Sequence, residues 1–493
     1  MLIPPSPRAP VFVRRHGLRG RAMATTDQDR VIKVGEPRVS GLDRFFKITE
    51  RGSSVRTEII AGLATWLTMA YILFVNPTIL GSVTDSAGTT LTFPQVLTVT
   101  ALVAGVMTLA MGIYANYPFA IAAGLGLNAF VTFSLVATLG LTWPQAMGVI
   151  VIEGAIITLL VLTGFREAVL NAIPMDLKRA IGIGIGLFLA IIGLVNGGIV
   201  VNSDATLITL NPNLSNLHVL VFVVGLAITS TLVVRKVKGG LLIGILATTV
   251  FAIIVNQGFG DSAVFEQGIA VIPDKIVSTP DFSLLGNFNF GVFDVLGLAT
   301  ASAAILAVML SDFFDTMGTV VGLADEAKLL DEDGKLPGMN RVLLVDSVAA
   351  AAGGAASASS NTTFIESAAG ISDGGRTGLT SVVVGGLFLL AIFFSPIAGV
   401  IPAEATAPVL VIVGYLMMQT VGEISWRDPA IGIPALLTIV MMPFTYSITN
   451  GVGAGFLAYV VIKVLQGRFR EVHPLMYVVA AVFSWYFFHG LLA

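Results

Sequence analysis

Apolar runs alternate with short polar segments along this chain from residue 57 to residue 466. Most runs have the ~17 to 25 residues that a helix needs to cross a bilayer. The first half contains seven runs, at 57–80, 96–115, 118–139, 144–164, 177–195, 217–234 and 239–256. Seven more follow a polar stretch at 257–291, and they lie at 294–320, 341–358, 360–371, 377–395, 403–421, 430–447 and 449–466. The pattern predicts an all-α polytopic membrane protein with about 14 transmembrane segments.

Basic residues fall on one side of these predicted spans. The clusters are Arg166/Lys178/Arg179, Arg235/Lys236/Lys238, Lys328/Lys335/Arg341, Arg376, Arg427 and Lys463/Arg468/Arg470. The positive-inside rule places them, and the N-terminus, in the cytoplasm. Because seven is an odd number, the second half begins on the opposite side, so the two halves are predicted to be inverted repeats. The third and tenth runs are both interrupted, and interruptions at corresponding positions of two halves indicate a transport site.

The two ends of the chain leave alternatives open. Residues 1–40 are rich in Arg and Pro and lack the apolar core of a signal peptide, so we expect a disordered cytoplasmic tail. Alternatively, Met23 rather than Met1 is the true start. Residues 41–55 are expected to form a short amphipathic helix on the membrane surface. Near the C-terminus, Leu475 to Leu491 is either a fifteenth span or an interfacial helix.

Composition supports the membrane assignment and excludes several functions. The 493 residues are 55% hydrophobic and only 12% charged, whereas soluble domains carry about 25% charged residues. The 53 glycines suit close packing of membrane helices. Cysteine is absent and the four histidines are scattered, so no metal site is expected. The net charge of −3 says little about partners; we expect no nucleic-acid partner and no cofactor.

The strongest candidate for function is Glu366, in a polar run at 359–367 between apolar segments. Carrying a carboxylate to membrane depth costs at least ~2.5 kcal/mol if nothing relieves it. The preceding Ser-Asn-Thr-Thr favours a backbone break and a new helix start, which would aim backbone N–H groups and the carboxylate at one point. This combination can hold a small polar molecule. Asn128, after the Gly124 to Gly126 turn, is expected to be a ligand or organiser of the site, or alternatively a helix cap.

Other polar and aromatic residues are weighed in the same way. Asp312 and Asp315 are three residues apart, so on a helix they face one direction and can share or pass a proton. Alternatively, they lie near the cytoplasmic end of the span and contact water. Glu153 has no polar neighbours at helical spacing and is expected to be structural, bonding across helices. Three phenylalanines either stack on a flat ring or fill lipid-facing or core positions: Phe119, Phe130 and Phe364. Thr362 and Thr363 are expected to cap a helix, or alternatively to bind substrate.

Four segments carry a family resemblance. They are Thr57 to Pro77, Ala115-Asn116-Tyr117-Pro118 with Gly124-Leu-Gly126-Leu-Asn128-Ala-Phe130, Asp312-Phe-Phe-Asp315-Thr-Met-Gly318-Thr, and Asn361-Thr-Thr-Phe-Ile-Glu366-Ser. In this order they resemble the AzgA-type purine permeases, a branch of the nucleobase–cation symporter-2 group, also called nucleobase–ascorbate transporters. The resemblance covers about residues 41–466. Two departures are Ala122-Ala123-Gly124 in place of the usual Ala-Pro-Gly and the Arg-rich tail.

The resemblance implies a fourteen-span fold of two inverted seven-span repeats, with short strands in segments 3 and 10. A core domain would comprise 57–164 and 294–395, and a gate domain 165–256 and 396–466. The remaining parts would be the tail at 1–55, an extracytoplasmic loop at 257–293 and a C-terminal segment at 467–493. Substrate would bind between core and gate, and the resemblance allows a homodimer with fixed gate domains.

The function implied is import of hypoxanthine, guanine and adenine with protons across the cytoplasmic membrane by an elevator mechanism. The substrate-binding residues would be Glu366, Asn128, Gly126, Asp315, Phe364 and Thr363, and the proton-coupling residues Asp315 and Asp312. The alternative within the same fold is a uracil or xanthine carrier. An intramembrane enzyme is disfavoured because the chain lacks His-Glu-x-x-His, Gly-x-Ser-x-Gly and cysteine. Saturable uptake would exclude a channel.

Overall fold

The computed structural model describes residues 41–492 except 164–171, 259–263, 266–267, 274 and 332–334. Its first helices are α1 (Gly41–Phe46), α2 (Val55–Met69), α3 (Ile72–Leu80), α4 (Phe93–Ala110), α5 (Leu125–Ala129), α6 (Trp143–Thr163), α7 (Met175–Asn196), α8 (Leu217–Val234) and α9 (Gly240–Gly258). The later ones are α10 (Val292–Glu326), α11 (Met339–Ala355), α12 (Ala368–Ser372), α13 (Gly378–Ala391), α14 (Ser395–Gly399), α15 (Ala403–Met417), α16 (Pro429–Thr445), α17 (Ile448–Leu465) and α18 (Pro474–Leu492). The expectations for the 1–40 tail, for Met23 and for Arg166 lie outside the described residues.

The predicted helical membrane protein is confirmed. Ten helices in the described residues are long and apolar enough to cross a membrane. Most apolar runs of the sequence fall on helix, with ends that differ from the prediction by a few residues, and the third and tenth runs also contain a short strand. Several runs, including the third and the thirteenth, form shorter apolar helices, so the count of about 14 spans stays a prediction.

The two interrupted runs meet in the core as a pair of short strands. β1 (Ile121–Ala123) and β4 (Asn361–Thr363) are antiparallel, with Ala122 opposite Thr362. Both strands follow left-handed residues: Asn116 has φ 56°, and Ser359 has φ 71°. At Ser359 the chain passes so close to α11 that a Cβ on Gly353 would lie 2.0 Å from the Ser359 carbonyl oxygen. Glycine at position 353 is therefore required for this approach.

Three regions differ from the sequence expectations or extend them. The predicted surface helix at 41–55 is wrong in extent, because only α1 is helical and its end packs inward through Phe46. A hairpin of β2 (Val200–Ser203) and β3 (Leu207–Leu210) was not predicted. The apolar segment at 475–491 lies in α18, which packs against α10 and α17.

A buried carboxylate joins α2 to the start of α13. Glu58 is fully buried, and its oxygens accept bonds from Arg376 N at 3.0 Å, Thr377 N at 3.2 Å and Thr380 Oγ1 at 2.6 Å. Free backbone N–H groups and the helix dipole make a helix N-terminus a favourable place for a negative charge. Glu58 therefore connects α2 to the turn that follows the tenth apolar run.

We predict that Glu58→Ala lowers the stability of the folded protein by about 3 kcal/mol, because three buried donors lose their acceptor. The measurement is the apparent melting temperature of the purified protein in detergent. Glu50→Ala is the matched control, because Glu50 is exposed and pairs only with Lys47, and it should leave the melting temperature unchanged. Equal melting temperatures for the two variants would contradict the assignment.

Candidate functional site

The strand pair places two helix starts in the membrane interior. Beyond the ladder itself, Gly124 N donates to Ser360 O at 3.0 Å and Phe364 N donates to Ala120 O at 2.9 Å. β1 leads into α5, which continues as a π-helix at Phe130–Thr138, and β4 leads into a 3₁₀-helix at Ile365–Ser367 followed by α12. Because the strands are antiparallel, the two helices leave from opposite ends of a ladder about 10 Å long. Two sets of free backbone N–H groups therefore flank the strands.

Glu366 lies in the first turn after β4 and is only partly buried. The Tyr71 hydroxyl donates to Glu366 Oε1 at 2.6 Å, and Thr68 Oγ1 donates to the Glu366 carbonyl oxygen at 3.3 Å. Tyr71 and Ala70 are the two residues between α2 and α3. Glu366 Oε2 accepts no bond from another described residue, so this oxygen has capacity for a ligand. Tyr71 was not singled out from the sequence as a functional residue.

Asp315 shares this environment. It lies on α10, is exposed, and is within electrostatic range of Glu366 and Tyr71. Asp312, three residues earlier on the same helix, is only 1% exposed and contacts Ser360. The alternative that Asp312 simply contacts water is therefore wrong. The structure brings Asp315 to Glu366 and directs Asp312 to the interior.

Asn128 is fully buried one turn into α5. Neither its Oδ1 nor its Nδ2 has a hydrogen-bond partner in the described part of the chain. The helix-cap alternative is wrong, because the N-cap position of α5 belongs to Gly124 and Asn128 lies inside the helix. Burying an amide without hydrogen-bond partners costs roughly 2–7 kcal/mol of transfer free energy. A polar ligand that bonds to the amide would remove that cost.

A fifth intramembrane carboxylate, Asp346 on α11, was missed by the sequence reasoning. Asp346 Oδ1 accepts from Thr363 N at 2.8 Å and Thr363 Oγ1 at 2.7 Å, and Oδ2 accepts from Thr316 Oγ1 at 2.7 Å. An isolated Asp in an apolar run was the signal that would have identified it. The Thr363 hydroxyl is thus already engaged, and its direct contact with a substrate stays a prediction. Neither Thr362 nor Thr363 caps the following helix.

Two further candidates lie where the breaks meet other helices. A Cβ on Gly126 would lie 2.5 Å from Ile185 Cγ2 of α7, so glycine permits close contact between α5 and α7. Phe364 is buried at the start of the 3₁₀-helix, and Phe119 stacks on Tyr117 with ring centroids 5.3 Å apart. Stacking of Phe364 on a ligand ring stays a prediction.

A polytopic helical protein whose two helix breaks pair in the core, with a carboxylate at one of the two helix starts, has the architecture of a membrane transporter. The sequence model of the Permease family (Xan_ur_permease) matches residues 56–453, and the chain belongs to this family. Members of this family are permeases, which are transporters rather than enzymes.

Two relatives show how close the similarity is. The adenine permease AdeQ of Escherichia coli (strain K12) is 42% identical over 446 residues, covering 90% of this chain and 95% of that protein. The guanine/hypoxanthine permease PbuG of Bacillus subtilis (strain 168) is 42% identical over 453 residues, covering 90% and 98%. The predicted resemblance to purine permeases is confirmed.

Among solved structures, the fold is that of the transmembrane domain of BicA, a cyanobacterial bicarbonate transporter. The TM-score is 0.55 at 14% identity, and the match covers 82% of this chain and 97% of that one. At this identity the likeness concerns the fold alone.

We predict that Thr363→Val lowers the stability of the folded protein by about 1.5–3 kcal/mol, because it removes a hydrogen bond to the Asp346 carboxylate. Thr363→Ser keeps the hydroxyl and should retain most of the stability. Thermal unfolding of both purified variants in detergent provides the comparison. If valine and serine have the same melting temperature, Asp346 does not hold β4 through this hydroxyl.

Proposed function

We propose that this protein is a proton-coupled secondary transporter that imports purine nucleobases across the cytoplasmic membrane. The observation that carries the proposal is the partly buried Glu366 carboxylate at a helix start, bonded on one oxygen by Tyr71 and lying near Asp315. The substrate class is supported by two relatives at 42% identity, an adenine permease and a guanine/hypoxanthine permease.

A purine presents ring N–H donors beside ring nitrogen or carbonyl acceptors. Glu366 would accept from the N–H edge, and the unpartnered Asn128 amide would both donate and accept. Backbone N–H groups at the two helix starts, including that of Gly126, would bind the remaining acceptors. Phe364 would stack on the ring, while Thr363 would hold β4 in place through Asp346. Asp315 would complete the polar edge of the site.

The proposal includes an architecture. Fourteen spans would form two inverted seven-span repeats with a cytoplasmic N-terminus, a core domain at 57–164 and 294–395, and a gate domain at 165–256 and 396–466. The loop at 257–293 would be extracytoplasmic. The core would move against the gate as an elevator, and a homodimer in the lipid bilayer would keep the gate domains fixed. The contact between Gly126 and Ile185 joins the two proposed domains.

Protons enter through the acidic residues of α10. Protonation of Asp315 or Asp312 would remove a charge that makes the loaded core costly to move past apolar surroundings. The uracil or xanthine alternative is not favoured, because the relatives at 42% identity are adenine and guanine/hypoxanthine permeases.

We predict that Glu366→Gln lowers uptake of the preferred purine by about 10- to 100-fold, because a bond to a charged group worth ~1.5–3 kcal/mol is lost. Tyr71→Phe should lower uptake less, because it removes only the bond from the Tyr71 hydroxyl and leaves the Glu366 carboxylate in place. The measurement is saturable uptake of radiolabelled hypoxanthine, guanine and adenine in a bacterial strain lacking its own purine permeases, with and without a protonophore.

Glu326→Gln is the control, because Glu326 is exposed at the end of α10 and should tolerate the same change. If a membrane-inserted wild-type protein takes up none of the three bases, the purine assignment is wrong and uracil and xanthine are tested next. If the protonophore leaves uptake unchanged, the proposed proton coupling is wrong.

We predict that Gly126→Ala slows transport, because the added methyl group would lie 2.5 Å from Ile185 Cγ2 at the proposed sliding surface. The double variant Gly126→Ala/Ile185→Ala should recover the initial rate of uptake. Gly182→Ala on α7 is the matched control, since a Cβ there meets no atom within 4 Å. If the double variant transports as slowly as the single one, the contact with Ile185 is not the cause of the slow transport.

A further inference from the structure

Glu153 on α6 has no part in the site described above, yet it lies against one of its acidic residues. Ser360 Oγ is 3.4 Å from Glu153 Oε2 and 3.3 Å from Asp312 Oδ2, so one hydroxyl bridges the two carboxyl groups. The two carboxyl groups also lie within electrostatic range of each other. Glu153 is 0% and Asp312 1% exposed.

The pair lacks the partners that two ionised carboxylates would need. Glu153 Oε1 and Asp312 Oδ1 are buried and accept no hydrogen bond within the described residues. The other titratable groups that face the pair are acidic as well: Asp346 on α11 and Asp315 on α10. Because both oxygens lie within 3.4 Å of Ser360 Oγ, they are at most about 7 Å apart, and two carboxylates at that separation would repel by ~2 kcal/mol even at an effective dielectric constant of 20. Burial adds to that cost. At least one proton must therefore remain between them.

The pair is also connected to both helix starts of the base site. Ser360 bridges the carboxyl groups through its side chain, and its carbonyl oxygen accepts from Gly124 N at 3.0 Å, directly before α5. On the other side Ser360 leads into β4, which ends three residues before Glu366. A change in the protonation of the pair thus acts on the residue that joins the two breaks.

We propose that Glu153 and Asp312 form the proton-coupling site, keeping one shared proton and exchanging a second one during each transport cycle. This inference rests on the proposed function and adds Glu153 as a proton-binding residue. The second proton comes from extracellular water, forms an O–H bond on a carboxyl oxygen, and returns to water on the cytoplasmic side. With two protons the pair is neutral, and with one it is a buried anion that opposes movement of the core.

The test uses purified protein in liposomes and compares two modes of transport. A purine that is neutral at neutral pH moves with net charge only if a proton accompanies it. With one proton per base, a gradient of one pH unit supports about tenfold accumulation, since one unit corresponds to ~1.36 kcal/mol. Counterflow, the exchange of labelled for unlabelled base at equal concentrations, needs no net proton movement.

We predict that Glu153→Gln abolishes accumulation driven by the pH gradient and the substrate-induced current on solid-supported membranes, while counterflow stays close to the wild-type rate. The neutral amide mimics the protonated pair, so the loaded core still moves but carries no proton. Thr158→Val, a change on the same helix that removes a bond to the Gly154 carbonyl oxygen, should preserve both modes.

The outcomes separate this inference from the proposed function. Wild-type protein that moves no purine, or that accumulates it only with a sodium gradient, overturns the proposed function and the proton site together. Wild-type proton coupling with unchanged accumulation in Glu153→Gln overturns only the inference, and so does a folded Gln variant that loses counterflow. Glu153→Asp keeps an ionisable group and should couple with a shifted pH dependence of the current. A pH dependence equal to that of the wild type contradicts the assignment.

Discussion

The structure depends on the requirement that backbone N–H and C=O groups at membrane depth find partners within the protein. The chain leaves helical geometry twice, before β1 and before β4, and each break supplies the partners for the other. Two additional bonds, from Gly124 N to Ser360 O and from Phe364 N to Ala120 O, extend the ladder to the points where new helices begin. The breaks thus position two helix N-termini, Glu366 and Asn128, while their backbones pair with each other.

The same region gathers five acidic side chains whose surroundings differ. Asp346 accepts three hydrogen bonds and holds β4. Glu366 accepts one bond from Tyr71 and keeps an oxygen that accepts none from any other described residue. Asp315 is exposed beside Glu366, whereas Glu153 and Asp312 face each other in the interior. Since donors and burial determine how well a carboxylate is stabilised as an anion, these differences support separate roles in structure, substrate binding and proton exchange.

The fold alone leaves the substrate open. The transmembrane domain of a bicarbonate transporter has this fold at 14% identity, so the architecture accommodates chemically different substrates. What distinguishes this chain is the set of side chains at the two helix starts and on α10. The proposal of a planar, neutral base with a donor edge and an acceptor edge rests on Glu366, Tyr71 and Asn128, and two relatives at 42% identity, an adenine permease and a guanine/hypoxanthine permease, support purines as that base.

The sequence by itself determined the membrane class and the position of nearly every helix, and it indicated Glu366 as the leading candidate for the site. These follow from local properties, because bilayer thickness sets the length of an apolar run and a carboxylate within one is costly wherever it lies. The motifs also determined the family. Only the tertiary structure decided which polar groups meet: Glu153, expected to be structural, lies against Asp312, and Asp346, which had been overlooked, holds Thr363. It also decided that Asn128 is an unpartnered amide rather than a cap, and that Tyr71 reaches Glu366 across 295 positions of the chain. Such contacts join residues far apart in sequence, and neither hydropathy nor helical spacing contains information about them.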